Sequence, residues 1–252
     1  MDRKVEVTTT YNQKYYDLVG RRMVESFVKY WPKHIKLHVY WQEQEPEIIQ
    51  DNIVYHELYQ VQPQLKQWVD AHTADHYHGW REDRGKYVWK NDGVKFSHKV
   101  FAQTHRIRHS DAEILLYSDA DTLYHAAPDL EMLDEICPPD SLCTFFDRPK
   151  FRDETGFYMH NPQHPRAKEW AQRLEQIYLT GEVWTYAENK SADQYTMAHG
   201  RDSFKDCKQM DLMRHHWSQP YYGIDFKDPV PTSPLSKSVS YTHLTLPTSD
   251  LV

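Results

Sequence analysis

Glu113-Ile-Leu-Leu-Tyr-Ser-Asp-Ala-Asp-Thr122 is the stretch on which the fold turns. Ile114 to Tyr117 is a short apolar run bounded by polar residues. That pattern suits a central strand of a parallel sheet, covered on both faces. The run ends in two carboxylates one residue apart, Asp119 and Asp121. In open α/β sheets, ligands bind just past the carboxyl ends of strands. Two close carboxylates repel each other unless a cation sits between them. The cation that suits oxygen donors is Mg²⁺ or Mn²⁺, commonly held by one or two carboxylates and the phosphates of a substrate. The stretch therefore predicts a metal–diphosphate site, with Asp119 and Asp121 as ligands and Asp121 foremost.

Composition narrows the setting. A chain of 252 residues suits one large domain. With 39% hydrophobic residues and a mean hydropathy of -0.84 it reads as soluble. No apolar run approaches the length of a membrane span. The aromatic share of 14% supplies core volume where aliphatics are few, and also stacking surfaces for sugars or bases. A formal charge of -7 opposes a generic nucleic-acid or anionic-membrane binder, which needs a basic field. Cys137, Cys143 and Cys207 have no metal-ligand spacing and form no even disulfide set. With no leader ahead of the first strand, they point to a reducing cytoplasm. His76 and His78 lie beside Asp75 and Gly79 in what reads as polar loop, since no third zinc ligand is placed by the sequence.

Along the chain, a first strand is expected over 5–10. A helix follows, with Tyr16, Val19, Met23 and Phe27 on one stripe, ended by Trp31-Pro32. Ile35, Leu37, Val39 and Trp41 alternate with polar neighbours and mark a second strand, giving a β-α-β opening. Residues 42–52 read as loop and 65–69 as a short helix begun near Pro63. Residues 70–93 read as a long polar insertion, too aromatic (Tyr77, Trp80, Tyr87, Trp89) for disorder. A helix over 95–109 precedes the strand with the Asp pair. Further helices are expected over 130–136, 165–180 and 191–199, and strands over 142–146 and 156–160. Beyond Gly200 the pattern weakens, and the Pro-rich 229–234 reads as extended.

Val239-Ser-Tyr-Thr-His-Leu-Thr-Leu-Pro-Thr248 matches the translation of a transposase-type sequencing adapter better than a natural Thr/Ser-rich tail. Residues 238–252 are therefore set apart as non-native, and 1–237 is expected to be one domain whose natural sequence continues differently.

In this arrangement the chain resembles the GT-A class of glycosyltransferases. Val7-Thr-Thr-Thr-Tyr11, Lys95-Phe-Ser-His-Lys99, Ser118-Asp-Ala-Asp-Thr122, Glu154-Thr-Gly-Phe157 followed by Asn161, and Asp193-Gln194 occur in the expected order. More narrowly it is similar to a bacterial and phage branch, over most of residues 4–237. The resemblance implies an α/β fold with a Rossmann-type mixed, mostly parallel sheet flanked by helices. It implies a nucleotide diphosphate sugar as donor, Mn²⁺ or Mg²⁺ as cofactor, and a saccharide or other hydroxyl as acceptor. In it Asp121 touches the metal, and Asp119 contacts the ribose or a metal-bound water. Many relatives complete this site with a C-terminal His, Gly and Lys; here the adapter-like tail begins where that segment is expected.

Thr8, Thr9 and Tyr11 stand where a base and ribose would lie, although β-propensity alone explains them too. Lys95 and Lys99 are candidate phosphate contacts, or solvated surface lysines. Arg148 and Arg152 are weaker candidates of the same sort. Glu154 and Asp193 are candidate catalytic carboxylates on the acceptor side, where an inverting enzyme needs a general base. Asp193 also suits a helix cap. Three other functions fit less well. A haloacid-dehalogenase-type phosphatase needs the Asp pair on its first strand. A sugar nucleotidylyltransferase needs a Gly-rich loop that residues 8–16 lack. A nucleotide-sugar-binding protein without catalysis is the non-enzyme alternative.

Overall fold

A computed structural model describes residues 3–43, 46–148, 151–186, 190–215 and 229–241. The β-branched run Val5–Tyr11 forms β1, buried along nearly its whole length because helices cover both its faces. Asn12 stops the strand, its side chain accepting the Tyr15 N–H at 2.9 Å. The chain then passes through α1 (Gln13–Tyr15) and one widened π turn, Tyr16–Gly20, into α2 (Arg21–Tyr30). Trp31 is extended, as the residue before a proline prefers. Strands β2 (Lys36–Trp41) and β3 (Ile53–Glu57) then pair in parallel beside β1.

Two short helices, α3 (Leu58–Val61) and α4 (Pro63–Ala71), lead into a hairpin of β4 (His78–Arg81) and β5 (Lys86–Asp92). The expected long loop over 70–93 is thus the end of a helix and a β-hairpin. Gly85, at φ 57°, lies in the left-handed region between its two strands. A bulge between His78 and Trp80 breaks the alternation that would have revealed the pairing.

Helix α5 (Gly93–His109) opens beside Trp184, so near that a Cβ on Gly93 would come within 2.3 Å of the indole. Next come β6 (Ile114–Ser118), β7 (Thr122–Tyr124), α6 (Leu130–Ile136), β8 (Ser141–Arg148) and β9 (Arg152–His160). Helices α7 (Ala167–Leu179) and α8 (Asp193–Asp202), then β10 (Lys208–Asp211) and β11 (Val239–Tyr241), complete the described elements. The Pro-rich 229–234 is not extended: Val230–Thr232 and Pro234–Lys237 are 3-10 turns.

Seven strands form one sheet in the order β10-β8-β9-β6-β1-β2-β3. β9 runs against both of its neighbours, and the remaining pairs are parallel. The period of two along β6 divides the core. Ile114 and Leu116 join Met23, Val24 and Phe27 of α2 on one face. Leu115 and Tyr117 join Val100 and Phe101 of α5 and Trp170 and Leu174 of α7 on the other. Each such fully buried side chain contributes about 1.5–3 kcal/mol. The expected mixed, mostly parallel sheet flanked by helices is the one observed.

β11 pairs antiparallel with β7. Of the stretch set apart as non-native, residues 238–241 are described and 242–252 lie outside the described residues. No helix among the described residues is long and apolar enough to cross a membrane.

Candidate functional site

The carboxyl edge of the sheet gathers one strand end and two helix starts. The backbone of Asp119 is held on both sides as β6 ends. Its N–H donates to the Gly156 carbonyl at 3.0 Å, and its carbonyl accepts the Thr122 N–H at 3.0 Å. Asp92 caps α5 by accepting the Lys95 N–H at 2.8 Å. Two turns into that helix, Lys99 is buried, and its Nζ lies 2.6 Å from Asp119 Oδ1 and 2.8 Å from Asp193 Oδ2. Asp193 itself is buried at the first position of α8. It is not the cap: Ala192 occupies that position, and Asp193 Oδ1 accepts the Gln194 N–H at 2.9 Å.

One ammonium facing two carboxylates leaves the trio with a net negative charge. Burial alone would lower the Lys99 pKa, but Asp119 and Asp193 outweigh it and hold the ammonium above its ordinary value. Burial raises the Asp119 pKa, and Asp193 adds to that, while Lys99 opposes both. The Tyr117 hydroxyl also meets Asp119, and burial pushes that phenol well up. Even so, the Asp119 side chain keeps 33% of its surface exposed, so the trio has an opening.

A second set of contacts fixes the start of β9. Glu154 accepts the Gly156 N–H at 2.8 Å and lies 2.6 Å from Arg148 Nη1. Burial raises the Glu154 pKa, with Arg148 opposing. The same guanidinium donates to the carbonyls of Arg152 and Asp153 and, at 3.4 Å, to Gln194 Oε1. One residue earlier, Asp153 pairs with Arg201 of α8 at 2.8 Å. Burial pushes that carboxyl up to about 6 despite its partner. The β8–β9 pair is therefore tied to α8 twice, from Arg148 to Gln194 and from Asp153 to Arg201.

The nucleotide-side residues are placed differently. Thr8 and Thr9 are wholly buried within the sheet, and Thr8 Oγ1 donates to the His38 carbonyl at 3.2 Å. Tyr11 is buried, with its ring 5.3 Å from that of Tyr16. Lys95, half-buried one turn before Lys99, donates from Nζ to the Tyr15 hydroxyl at 2.7 Å. Of the residues singled out from the sequence, Lys99, Asp119 and Asp193 are in direct contact, and Glu154 joins them through Gly156. Asp121 lies half-buried two residues beyond Asp119. Tyr117, Tyr15 and Gln194 had not been singled out as ligand contacts. The only sign of Tyr117 was a polar tip on an apolar strand next to the motif.

Asp119 and Asp121 suit a hard divalent ion that takes its remaining ligands from water and a diphosphate. Among the described residues, no group of three His, Cys, Asp or Glu is arranged to hold a metal by itself.

Solved glycosyltransferase structures share this fold. Mouse xyloside xylosyltransferase 1, in its apo form, superposes with a TM-score of 0.51 at 11% identity, over 90% of this chain and 93% of that one. The bifunctional glycosyltransferase WbbM, also apo, gives a TM-score of 0.51 at 12% identity. That match covers 84% of this chain but 39% of WbbM. No family model matches the sequence, and no curated protein matches it. The architecture is GT-A-like; at such identities the likeness defines a fold, and chemistry has to be argued from the residues.

Proposed function

We propose that the protein is a metal-dependent glycosyltransferase that moves a sugar from a nucleotide diphosphate sugar to a hydroxyl acceptor, a saccharide foremost. The observation that carries this reading is the Lys99 trio. A buried ammonium gathers Asp119 and Asp193 at the carboxyl edge of the sheet, next to Asp121, with net negative charge and an opening to solvent. Asp119 and Asp121 would hold a divalent ion, which supplies Lewis-acid stabilisation of the departing diphosphate. Lys99 orients Asp119 and Asp193 toward one another. Asp193 is the candidate carboxylate for the acceptor hydroxyl. Glu154, fixed by Arg148 and Gly156, holds the start of β9 against the motif. Lys95, with Tyr11 at the end of β1 and Tyr15 of α1, forms the nucleotide side.

Thermal unfolding with a panel of nucleotide diphosphates and their sugars, each with and without Mn²⁺, tests this. A ligand at about a hundredfold its Kd adds about 2.7 kcal/mol of stability. A shift for one nucleotide that needs Mn²⁺ and is lost in Asp121→Asn supports the reading. No shift with any nucleotide sinks it. A shift without sugar transfer to any acceptor favours the nucleotide-sugar-binding protein.

A further inference from the structure

The β4–β5 hairpin carries an exposed surface that the trio does not use. Among the described residues, the exposed large aromatic side chains are Trp80 and Trp89, each 41% exposed, and both lie on this hairpin. Leaving an indole in water forgoes its burial, which makes such a surface informative. Trp89 is also held close to the site. The carbonyl of Lys90, the next residue, accepts the N–H groups of Ser191 at 2.8 Å and Ala192 at 3.1 Å, immediately before Asp193. The Trp89 ring lies 6.0 Å from Phe96, in the first turn of the helix that carries Lys99. Lys90 Nζ stands 5.0 Å from the Trp89 ring and 5.5 Å from the Phe151 ring, joining the hairpin to the start of β9.

We propose that Trp89, with Phe96 beside it, is a stacking platform for a sugar ring of the acceptor. This rests on the transferase reading and adds the side from which the acceptor enters. A pyranose has an apolar C–H face and a rim of hydroxyls. An indole face covers the first, and a nearby ammonium such as Lys90 donates to the second. The platform adjoins the residues leading into Asp193, the candidate acceptor carboxylate. The nucleotide side, by contrast, lies at Tyr15 and Lys95.

The test uses protein labelled with 5-fluorotryptophan, with the Trp89 resonance assigned by Trp89→Phe. Methyl hexosides, lactose and maltose are titrated and followed by fluorine NMR, and the nucleotide panel is run in parallel. Saccharides should shift the Trp89 resonance, and Trp89→Ala should weaken their binding about tenfold. Trp89→Phe, which keeps a ring, should restore most of it, and Trp80→Ala should leave it unaltered. Nucleotide-dependent thermal stabilisation should persist in Trp89→Ala. Three results overturn the proposal: saccharides leave the resonance unmoved, Trp80→Ala weakens saccharide binding as much as Trp89→Ala, or nucleotides move the resonance and Trp89→Ala abolishes their stabilisation, making it a base-stacking surface. The NMR measurement needs no turnover, so the platform and the transferase reading fail separately.

Discussion

Near its start α5 buries Lys99 against two carboxylates, and near its end it buries Arg106 against one. The two regions show how a charge buried for a site differs from a charge buried for the fold. Around Arg106 the account closes. Its Nε lies 3.1 Å from Glu6, the Ser110 hydroxyl donates to that carboxylate at 2.7 Å, and His38 stands 3.6 Å away. Burial alone would raise the Glu6 pKa, but the nearby His38, the bond from Ser110 and the charge of Arg106 bring it down to about 2. Glu6 is 3% exposed, so solvent gives it no relief. Around Lys99 the sign is reversed: the carboxylates outnumber the cation, the Asp119 pKa rises, and the cluster is open. A buried carboxylate fully matched by cations holds elements together, whereas an acidic, open trio is suited to receive a further cation.

The largest expected effect separates the two cations. Arg106→Leu leaves the buried Glu6 with only the half-exposed Lys4, 3.8 Å away, as its cation and should cost about 3–5 kcal/mol in urea unfolding. Lys99→Met leaves the buried Asp193 without its cation and should cost a similar amount, about 3–5 kcal/mol, although Asp119 still reaches solvent. Added Mn²⁺ should recover part of the loss in Lys99→Met and none in Arg106→Leu. Recovery in both variants, or in neither, would erase the distinction.

The second prediction concerns pH. Burial lowers His38, pushes His56 and His98 down to about 4, and pushes His105 and His160 down to about 3. Unfolded histidine titrates near 6.5. Between these values the unfolded chain binds more protons, so stability is full above about 6.5 and declines as pH falls toward 4. Asp153, raised to about 6, works in the opposite direction at lower pH, as do the raised Asp119, Glu154, Asp92 and Asp211, so the histidine share is read from the change on removing imidazoles. A His56→Gln, His105→Gln variant should show a shallower decline, by at most about 1.4 kcal/mol per pH unit for each histidine removed. An unchanged slope would mean that these imidazoles are not held neutral by the fold.

The smallest effects come from single hydroxyls. Tyr40→Phe removes the contact at 2.7 Å to His105 Nδ1, and Tyr117→Phe removes the one to Asp119. Each should cost about 1 kcal/mol by chemical denaturation. Only Tyr117→Phe should also change the stabilisation seen with Mn²⁺ and nucleotide. If Tyr40→Phe changes it equally, the two ends of α5 are not independent.

The central strands and the Asp pair were legible in the sequence because a strand buried on both faces leaves an uninterrupted apolar run, as in Ile114 to Tyr117. Edge elements were not. β3 has one buried residue followed by four half-buried ones, so Ile53–Glu57 shows no clean period. β10 is exposed to half-buried throughout, and the β4–β5 pairing is interrupted by a shift of register. Within the site, the residue types were visible but not their pairing. Lys99, Asp119 and Asp193 come from two helices and a strand end that only the fold brings together. Nor does spacing announce the histidines, since His38 and His56 sit on neighbouring strands and His105 on the helix above them.

The hairpin is fastened in a way that has a consequence for variation. β4 and β5 pair only with each other and take no place in the seven-stranded ladder. Their hold on the start of α8 runs through the main-chain carbonyl of Lys90, a group every amino acid carries. That hold on α8 is therefore blind to sequence, whereas Asp92, which caps α5, and Gly93 are not; the outward side chains between them can change. Such a part can be exchanged as a cassette, turning the protein toward a different ligand without recasting the machinery beneath it.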